Sequence, residues 1–379
     1  MASEDTTLRA IRARGEKFDL AVGYPRRCYT PAEREVFDRL GRNIDELDEG
    51  LAPELEKQFL QRFFELGAQT RTEWMQWCGF HYSASSCIQA IADLMKARFS
   101  QGGHQKDRDN APSVAVIEPL VDFIPKILKG AGLDLEVLPE DWLSDKKSFQ
   151  QMYTLKSDAI FICLPNNPSG FMMSPEMFVQ LVNFCHEARK TLIIDNCFRF
   201  YASPEKQYDQ YAFLSQPGQE ISALMIEDTG KTWPMKGEKT AFISASANLA
   251  YDLSTIMHTT IAYPPTLTLS LAIELMALPF HDNHVGRNRA TLAAALKPFG
   301  VDVLSPEGTS MAWLDTGPFT GENFADRAGQ AGVMVVPGSD FLWNKSTQAT
   351  KDHRVRVALP RDVEMCDQAM AALRGQFQP

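Results

Sequence analysis

Short apolar runs alternate along the chain with longer stretches whose apolar residues recur every three or four positions. Ser113–Glu118 (SVAVIE) reads as a strand, and Phe123–Gly132 as the helix that follows it. Leu133–Leu138 alternates apolar and polar residues with period two, as a strand does. Ala159–Leu164 (AIFICL) is a continuous apolar run, which suits a strand buried on both faces. A helix over Pro175–Lys190 leads to strands at Thr191–Asp195, Ser222–Ile226 and Thr240–Ser244. Strands separated by helices predict a mostly parallel sheet in an α/β domain. Beyond about residue 290 the texture changes. A helix over Arg287–Leu296 precedes strands near Val301–Leu304, Met311–Asp315, Val333–Val336 and Val355–Leu359, then a last helix from Val363 to Phe377. That order predicts a smaller α+β domain.

The remaining segments add little chemistry. Gln101–Pro112 (QGGHQKDRDNAP) reads as a mobile surface loop. Trp74, Trp77 and Phe80 read as core or a subunit contact, and Thr266–Leu278 as a packed helix. No apolar run reaches the roughly 18 residues of a membrane span. At 379 residues the chain is long enough for about two domains. Its net charge of −10 gives no electrostatic reason to bind nucleic acid or an anionic membrane. An anionic ligand must therefore be drawn in by local positive groups. The seven cysteines are odd in number and include no CxxC pair, which argues against a disulfide framework or a zinc ribbon. Together with an N-terminus that lacks an apolar leader, they lead us to expect a cytoplasmic protein with reduced thiols. His281-Asp282-Asn283-His284 has too few ligands nearby for a metal and reads as an exposed loop.

Four segments carry candidate chemistry, because strand ends in open α/β sheets are where ligands bind. Tyr82–Ser86 (YSASS) runs into a helix over Cys87–Arg98, and its hydroxyls suit either an N-cap or a phosphate site. Pro165–Gly170 (PNNPSG) follows the strand AIFICL and reads either as a turn or as a site loop. Asp195 ends a buried strand 28 residues after Asn167, as a cap or as a carboxylate in need of a cation. Lys231 stands 36 residues after Asp195, behind a Thr-Gly turn, with Lys239 eight further on.

In this order and spacing the four segments resemble the fold-type I enzymes dependent on pyridoxal 5′-phosphate (PLP), the aminotransferase-like superfamily. The resemblance covers about residues 80–360. It implies a PLP-dependent transferase fold: a large domain with a mostly parallel seven-stranded sheet, at 45–285, and a small α+β domain built from 1–44 and 286–379. The N-terminal segment would lie over the active site. Lys231 would bind the cofactor aldehyde as a Schiff base, Asp195 would keep the pyridine nitrogen protonated, and Asn167 would donate to the phenolate oxygen. Ser83, Ala84, Ser85 and Lys239 would surround the phosphate. Val121 stands where a ring usually stacks on the cofactor, and Cys197 where a small hydroxyl residue is expected; a buried inert thiol is the plainer reading of the latter. Arg356, in RVRVALPR, would hold the substrate carboxylate through two parallel hydrogen bonds. A homodimer is implied by the family.

Closer wording narrows the resemblance. IEDTGKTWP, PNNPSG, IDNCFR and VRVAL look like the PLP-dependent L-arginine oxidases/hydroxylases of nonribosomal-peptide biosynthesis. That branch implies a reaction at the amino-acid α-carbon with dioxygen as electron acceptor. In it Asp228 would face a cationic substrate side chain; the alternative is that Asp228 caps a turn. The sequence departs from the branch at Val22-Gly23-Tyr24-Pro25-Arg26, where an acid-Gly-His-x-Arg segment is usual. Tyr24 then stands where substrate would be met. The runner-up expectations are a 2-oxo-acid-dependent aminotransferase, and an enzyme of β-elimination or oxidative decarboxylation.

Overall fold

A computed structural model describes residues 17–101, 111–202, 207–218, 220–235, 237–261, 263–344 and 353–377. The loop expected over Gln101–Pro112 lies outside the described residues from 102 to 110. The described chain opens with strand β1 (Phe18–Asp19) and helix α1 (Pro31–Arg42). Thr30 caps α1 by accepting from the Glu33 amide, and the Glu33 carboxylate reaches back to the Thr30 amide. Each thereby satisfies a donor that the helix start would leave unpaired. Helix α2 (Ala52–Leu66) buries Phe59, Leu60, Phe63 and Phe64.

Next come β2 (Cys78–His81), α3 (Ala84–Gln101), β3 (Ser113–Glu118), α4 (Phe123–Gly130), β4 (Asp134–Pro139), β5 (Ala159–Cys163), α5 (Pro175–Glu187), β6 (Thr191–Asp195), β7 (Ala223–Asp228) and β8 (Ala241–Ala245). Helix α5 stops short of the expected Lys190, because Arg189 adopts the left-handed region (φ 53°) and turns the chain into β6. Strands β2–β8 form one seven-stranded sheet in the order β2-β8-β7-β6-β5-β3-β4. It is the mixed sheet of the expected fold, parallel except at β8, which runs against both of its neighbours. Strands β5, β7 and β8 are buried along their whole length, and in β5 this accounts for the continuous apolar run.

Register decides what meets at the edge of this sheet. Asp195 pairs with Cys163 on one side and Ile226 on the other, so β5 and β6 end level and β7 runs two residues further, to Asp228. The segments after them carry Asn167, Asp195 itself and Lys231. Reversal of β8 sets Ala241 opposite Asp228, which brings Lys239 to the same edge. Strand β2 ends there too, with His81 opposite Ala241, and delivers Ser83.

Helices α6 (Ala247–Thr260), α7 (Thr266–Ala277) and α8 (Val285–Leu296) lead to a second sheet. It is built from β9 (Asp302–Val303), β10 (Met311–Asp315), β12 (Val336–Pro337) and β13 (Arg354–Ala358), in the antiparallel order β12-β13-β10-β9. Helix α9 (Gly321–Gln330) packs beside it, and helix α10 (Val363–Phe377) packs against α8 and α9. The single strand expected over Val333–Val336 is two strands: β11 (Val333–Met334) pairs with β1, and β12 pairs with β13. The segment changes partner at Val335. Trp74 and Phe80 are core residues, and the Trp74 indole donates to Ser215 at 2.8 Å.

The N-terminal segment is sewn onto this second sheet. The Leu20 amide donates to Met334, the Ala358 amide to Leu20 and the Arg26 amide to Pro360. Arg361, fully buried, donates to the main-chain oxygens of Asp19 (2.6 Å), Val22 (2.5 Å) and Tyr24 (3.1 Å). Truncating it leaves those buried carbonyls without donors. Arg361→Ala is therefore expected to lower the unfolding free energy by about 3 kcal/mol. Urea denaturation checks this, and wild-type stability would contradict it.

Candidate active site

Strand β7 ends in a tight turn that carries Lys231. Asp228 accepts from the Gly230 amide (2.6 Å) and from the Ala84 amide at the start of α3 (3.3 Å). The Lys239 ammonium lies 3.9 Å from the same carboxylate, which is 2 % exposed. Asp228 thus has the capping role and ties the Lys231 turn to α3. A Cβ at Gly230 would come within 2.7 Å of the Lys239 side chain, which would have to shift. Lys231 Nζ stands 5.6 Å from the centre of the Tyr24 ring and 5.8 Å from that of Phe198. Two aromatic faces therefore meet this cation, one of them from the N-terminal segment.

Asp195 is buried beside it. Its Oδ1 accepts from the Cys197 amide at 3.0 Å, and the Cys197 thiol bonds to the same carboxylate. Burial pushes the Asp195 carboxyl up, while these bonds and the Lys231 charge pull it down. Burial also raises the Cys197 thiol well above its ordinary value, which makes it an inert packing group. Cys163 sits between the parts of the site: it bonds to the Asn167 amide and feels both Asp195 and Lys231. Nothing in the sequence marked it, because a cysteine within an apolar run reads as core.

The second sheet contributes Arg356 from β13. Its guanidinium donates to Asn167 Oδ1 at 3.1 Å and to the main-chain oxygen of Ala21, and lies 5.0 Å over the Phe341 ring. Its Nε meets no acceptor. Burial lowers its pKa to about 10, so it stays cationic at neutral pH. With Oδ1 engaged by Arg356, the Asn167 amide offers only its nitrogen as a further donor. Val121 donates from its amide to the main-chain oxygen of Asn167 at 3.2 Å and packs against the cluster of Ala21, Trp313 and Phe341. At the other end, Ser83 Oγ accepts from the Ser86 amide at 3.3 Å, capping α3 beside half-buried Ser85. Ser83, Ser85, the first amides of α3 and Lys239 could hold an anionic group there.

Arg199, beside Phe198, is ion-paired with buried Glu227 at 2.9 Å and lies against the rings of Phe63 and Phe200. One further expectation changes. The segment His281–His284 is not simply an exposed loop: its histidines are half-buried and Asn283 is fully buried. Among the described residues no group of three His, Cys, Asp or Glu could hold a metal.

Burial raises the Glu227 carboxyl from 4.5 to about 7 despite Arg199. A carboxyl raised in the folded state favours folding below its unfolded value, and that contribution fades as pH rises through the folded value. Thermal stability is therefore expected to fall between about pH 4.5 and 7, and Glu227→Gln to flatten the slope. Melting curves across that range test this; an unchanged slope in the variant would contradict it.

A family model described as aminotransferase class I and II matches residues 111–373. Among curated proteins, the aspartate/prephenate aminotransferase of Thermus thermophilus is 22 % identical over 272 residues, 67 % of this chain and 69 % of that one. Mouse kynurenine–oxoglutarate transaminase 1 is 20 % identical over 318 residues, 71 % and 73 % of the two chains. Among solved structures, MppP soaked with the product 2-ketoarginine matches with a TM-score of 0.79 at 23 % identity, covering 95 % of this chain and all of that one. Thermus thermophilus aspartate aminotransferase with maleate matches with a TM-score of 0.76 at 17 % identity, covering 99 % and 97 %. At such identities the structural likeness shows the fold alone. The family model covers well over half of the chain and meets the sheet edge just described, so the chain belongs to the class I and II aminotransferase family, enzymes whose cofactor is pyridoxal 5′-phosphate.

Proposed function

We propose that Lys231 carries the cofactor and that the enzyme removes the α-proton of an amino acid whose carboxylate is held by Arg356. The observation that carries this reading is the buried Arg356 guanidinium, bonded to the site residue Asn167 and with its Nε meeting no acceptor. A carboxylate is the partner such a fork matches. The cofactor, once bound, supplies an electron sink for the pair left at the α-carbon. The residues present fit it. Asp195, whose carboxyl is raised by burial, gains from a protonated ring nitrogen beside it. Asn167 has an amide nitrogen to offer a phenolate oxygen. Ser83, Ser85, the Ala84 turn and Lys239 suit a phosphate, while Val121 and the inert Cys197 supply non-ionic surface. Lys231 Nζ is the base that takes the α-proton. Tyr24 limits access of water from the N-terminal side.

For the outcome we favour oxidation. The amino acid gives up two electrons and its amine leaves as ammonia. Dioxygen takes the two electrons and two protons to become hydrogen peroxide, and water supplies the oxygen of the 2-oxo acid. The wording IEDTGKTWP and the likeness to a structure that holds 2-ketoarginine support this, with an arginine-like or other tailored amino acid as substrate. Transfer of the amine to a 2-oxo acid is the second reading, favoured by the aminotransferases among the curated relatives. A homodimer accompanies either.

Oxygen uptake against a panel of amino acids including L-arginine, with and without added 2-oxo acid, separates the two. Uptake without an acceptor is expected; product formed only with an acceptor returns the reaction to transamination. Arg356→Lys, which replaces a fork by a point charge, is expected to raise KM roughly tenfold or more. An unchanged KM would remove Arg356 from the substrate site.

A further inference from the structure

Behind Lys231 runs a line of buried hydrogen bonds that the reaction proposed above does not use. The Glu33 carboxylate holds the Arg27 guanidinium by two bonds, 2.8 and 2.6 Å. Arg27 Nε donates to Asn283 Oδ1 at 2.7 Å. Asn283 Nδ2 donates to the Tyr201 hydroxyl at 2.6 Å and to the main-chain oxygen of Thr232 at 2.8 Å. The Tyr201 hydroxyl donates to the main-chain oxygen of Lys231 at 3.0 Å. Arg27, Glu33, Tyr201 and Asn283 are all buried, and Asn283 fully so.

The direction of every bond in this line follows from its first member. A guanidinium only donates, so Asn283 must turn its oxygen to Arg27. Its nitrogen then faces Tyr201, whose hydroxyl must accept. The one hydroxyl hydrogen is left for the Lys231 carbonyl. Burial holds the Tyr201 hydroxyl above its ordinary pKa, so it remains a donor at neutral pH. Asn283 itself is kept at φ 55°, in the left-handed region, on the short connection between α7 and α8. The line thus joins the N-terminal segment, the passage towards the second sheet, the turn after β6 and the Lys231 turn.

We propose that Tyr201, Asn283 and Arg27 are positioning residues that fix the Lys231 main chain, and through it the amine, from the N-terminal segment. Arg27 follows Tyr24 by three residues, so one segment both covers the amine and sets its place. The inference rests on Lys231 carrying the cofactor.

Two variants break the line at the same bond by different means. Tyr201→Phe removes the hydroxyl. Asn283→Asp keeps the shape but has no donor, so the Tyr201 hydroxyl turns to the new carboxylate and leaves the Lys231 oxygen. Each is expected to lower kcat about tenfold, with KM within about twofold because Arg356 is untouched. Each is also expected to move the pH midpoint of the cofactor's visible absorbance by about half a unit or more. The double variant is expected to do no more than the larger single change, as for groups acting through one bond. Should Asn283→Asp not fold, Tyr201→Phe and Arg27→Lys carry the same comparison. Lys231→Ala is the control: a cofactor band that survives it removes the reading on which the inference rests. If that control loses the band while the other variants keep wild-type kcat and absorbance midpoint and only melt earlier, the line is structural and the inference is overturned.

Discussion

Asp195 is a carboxylate at the dry end of a central strand, and such a group must either find positive charge or take up a proton. Burial drives it towards the neutral form, and Lys231 opposes that. The sheet register makes this confrontation possible. Strands β5 and β6 end level, β7 runs two residues further, and the reversed β8 returns Lys239 to the same edge. Apolar burial holds the strands that deliver Asn167, Lys231 and Ser83, and hydrogen bonds such as those of Asp228 to the Gly230 and Ala84 amides fix the turns at their ends. A protonated ring nitrogen against Asp195 would offset the burial that drives its carboxyl towards the neutral form.

Two arginines from a single stretch divide the remaining labour. Arg356 and Arg361 are both deeply buried, and burial lowers both. Arg361 binds three main-chain oxygens of the N-terminal segment and holds it in place. Arg356 points its donors at Asn167 and Ala21, with its Nε unmatched. One is a structural pin; the other, in the function proposed above, would receive a planar anion. The pin matters to the receptor, since Ala21 belongs to the segment that Arg361 secures.

The central strands were legible because burial on both faces makes their sequences continuously apolar, as in AIFICL and TLIID. Their order was not, and neither was the reversal of β8, because an apolar run carries no direction. The four-residue β2 (CGFH) is too short for periodicity to register. At the site, Asn167, Asp195 and Lys231 stood out by position at strand ends, where each kept a plainer reading, and only the family resemblance gave them roles. Asp228 could not be assigned, because a cap and a substrate carboxylate look alike until the Gly230 and Ala84 amides are seen to reach it. Asn283 was hidden between two histidines that suggested an exposed loop. Its role depends on Arg27, 256 residues away, and no local pattern reports such a pairing.

The central claim is that Lys231, and not its neighbour Lys239, bonds to the cofactor. Borohydride reduction of the cofactor-loaded protein fixes that bond, and peptide mass spectrometry then locates it. The account predicts a single pyridoxyl group on the peptide that contains Lys231. A group on Lys239, or on any other lysine, would contradict it.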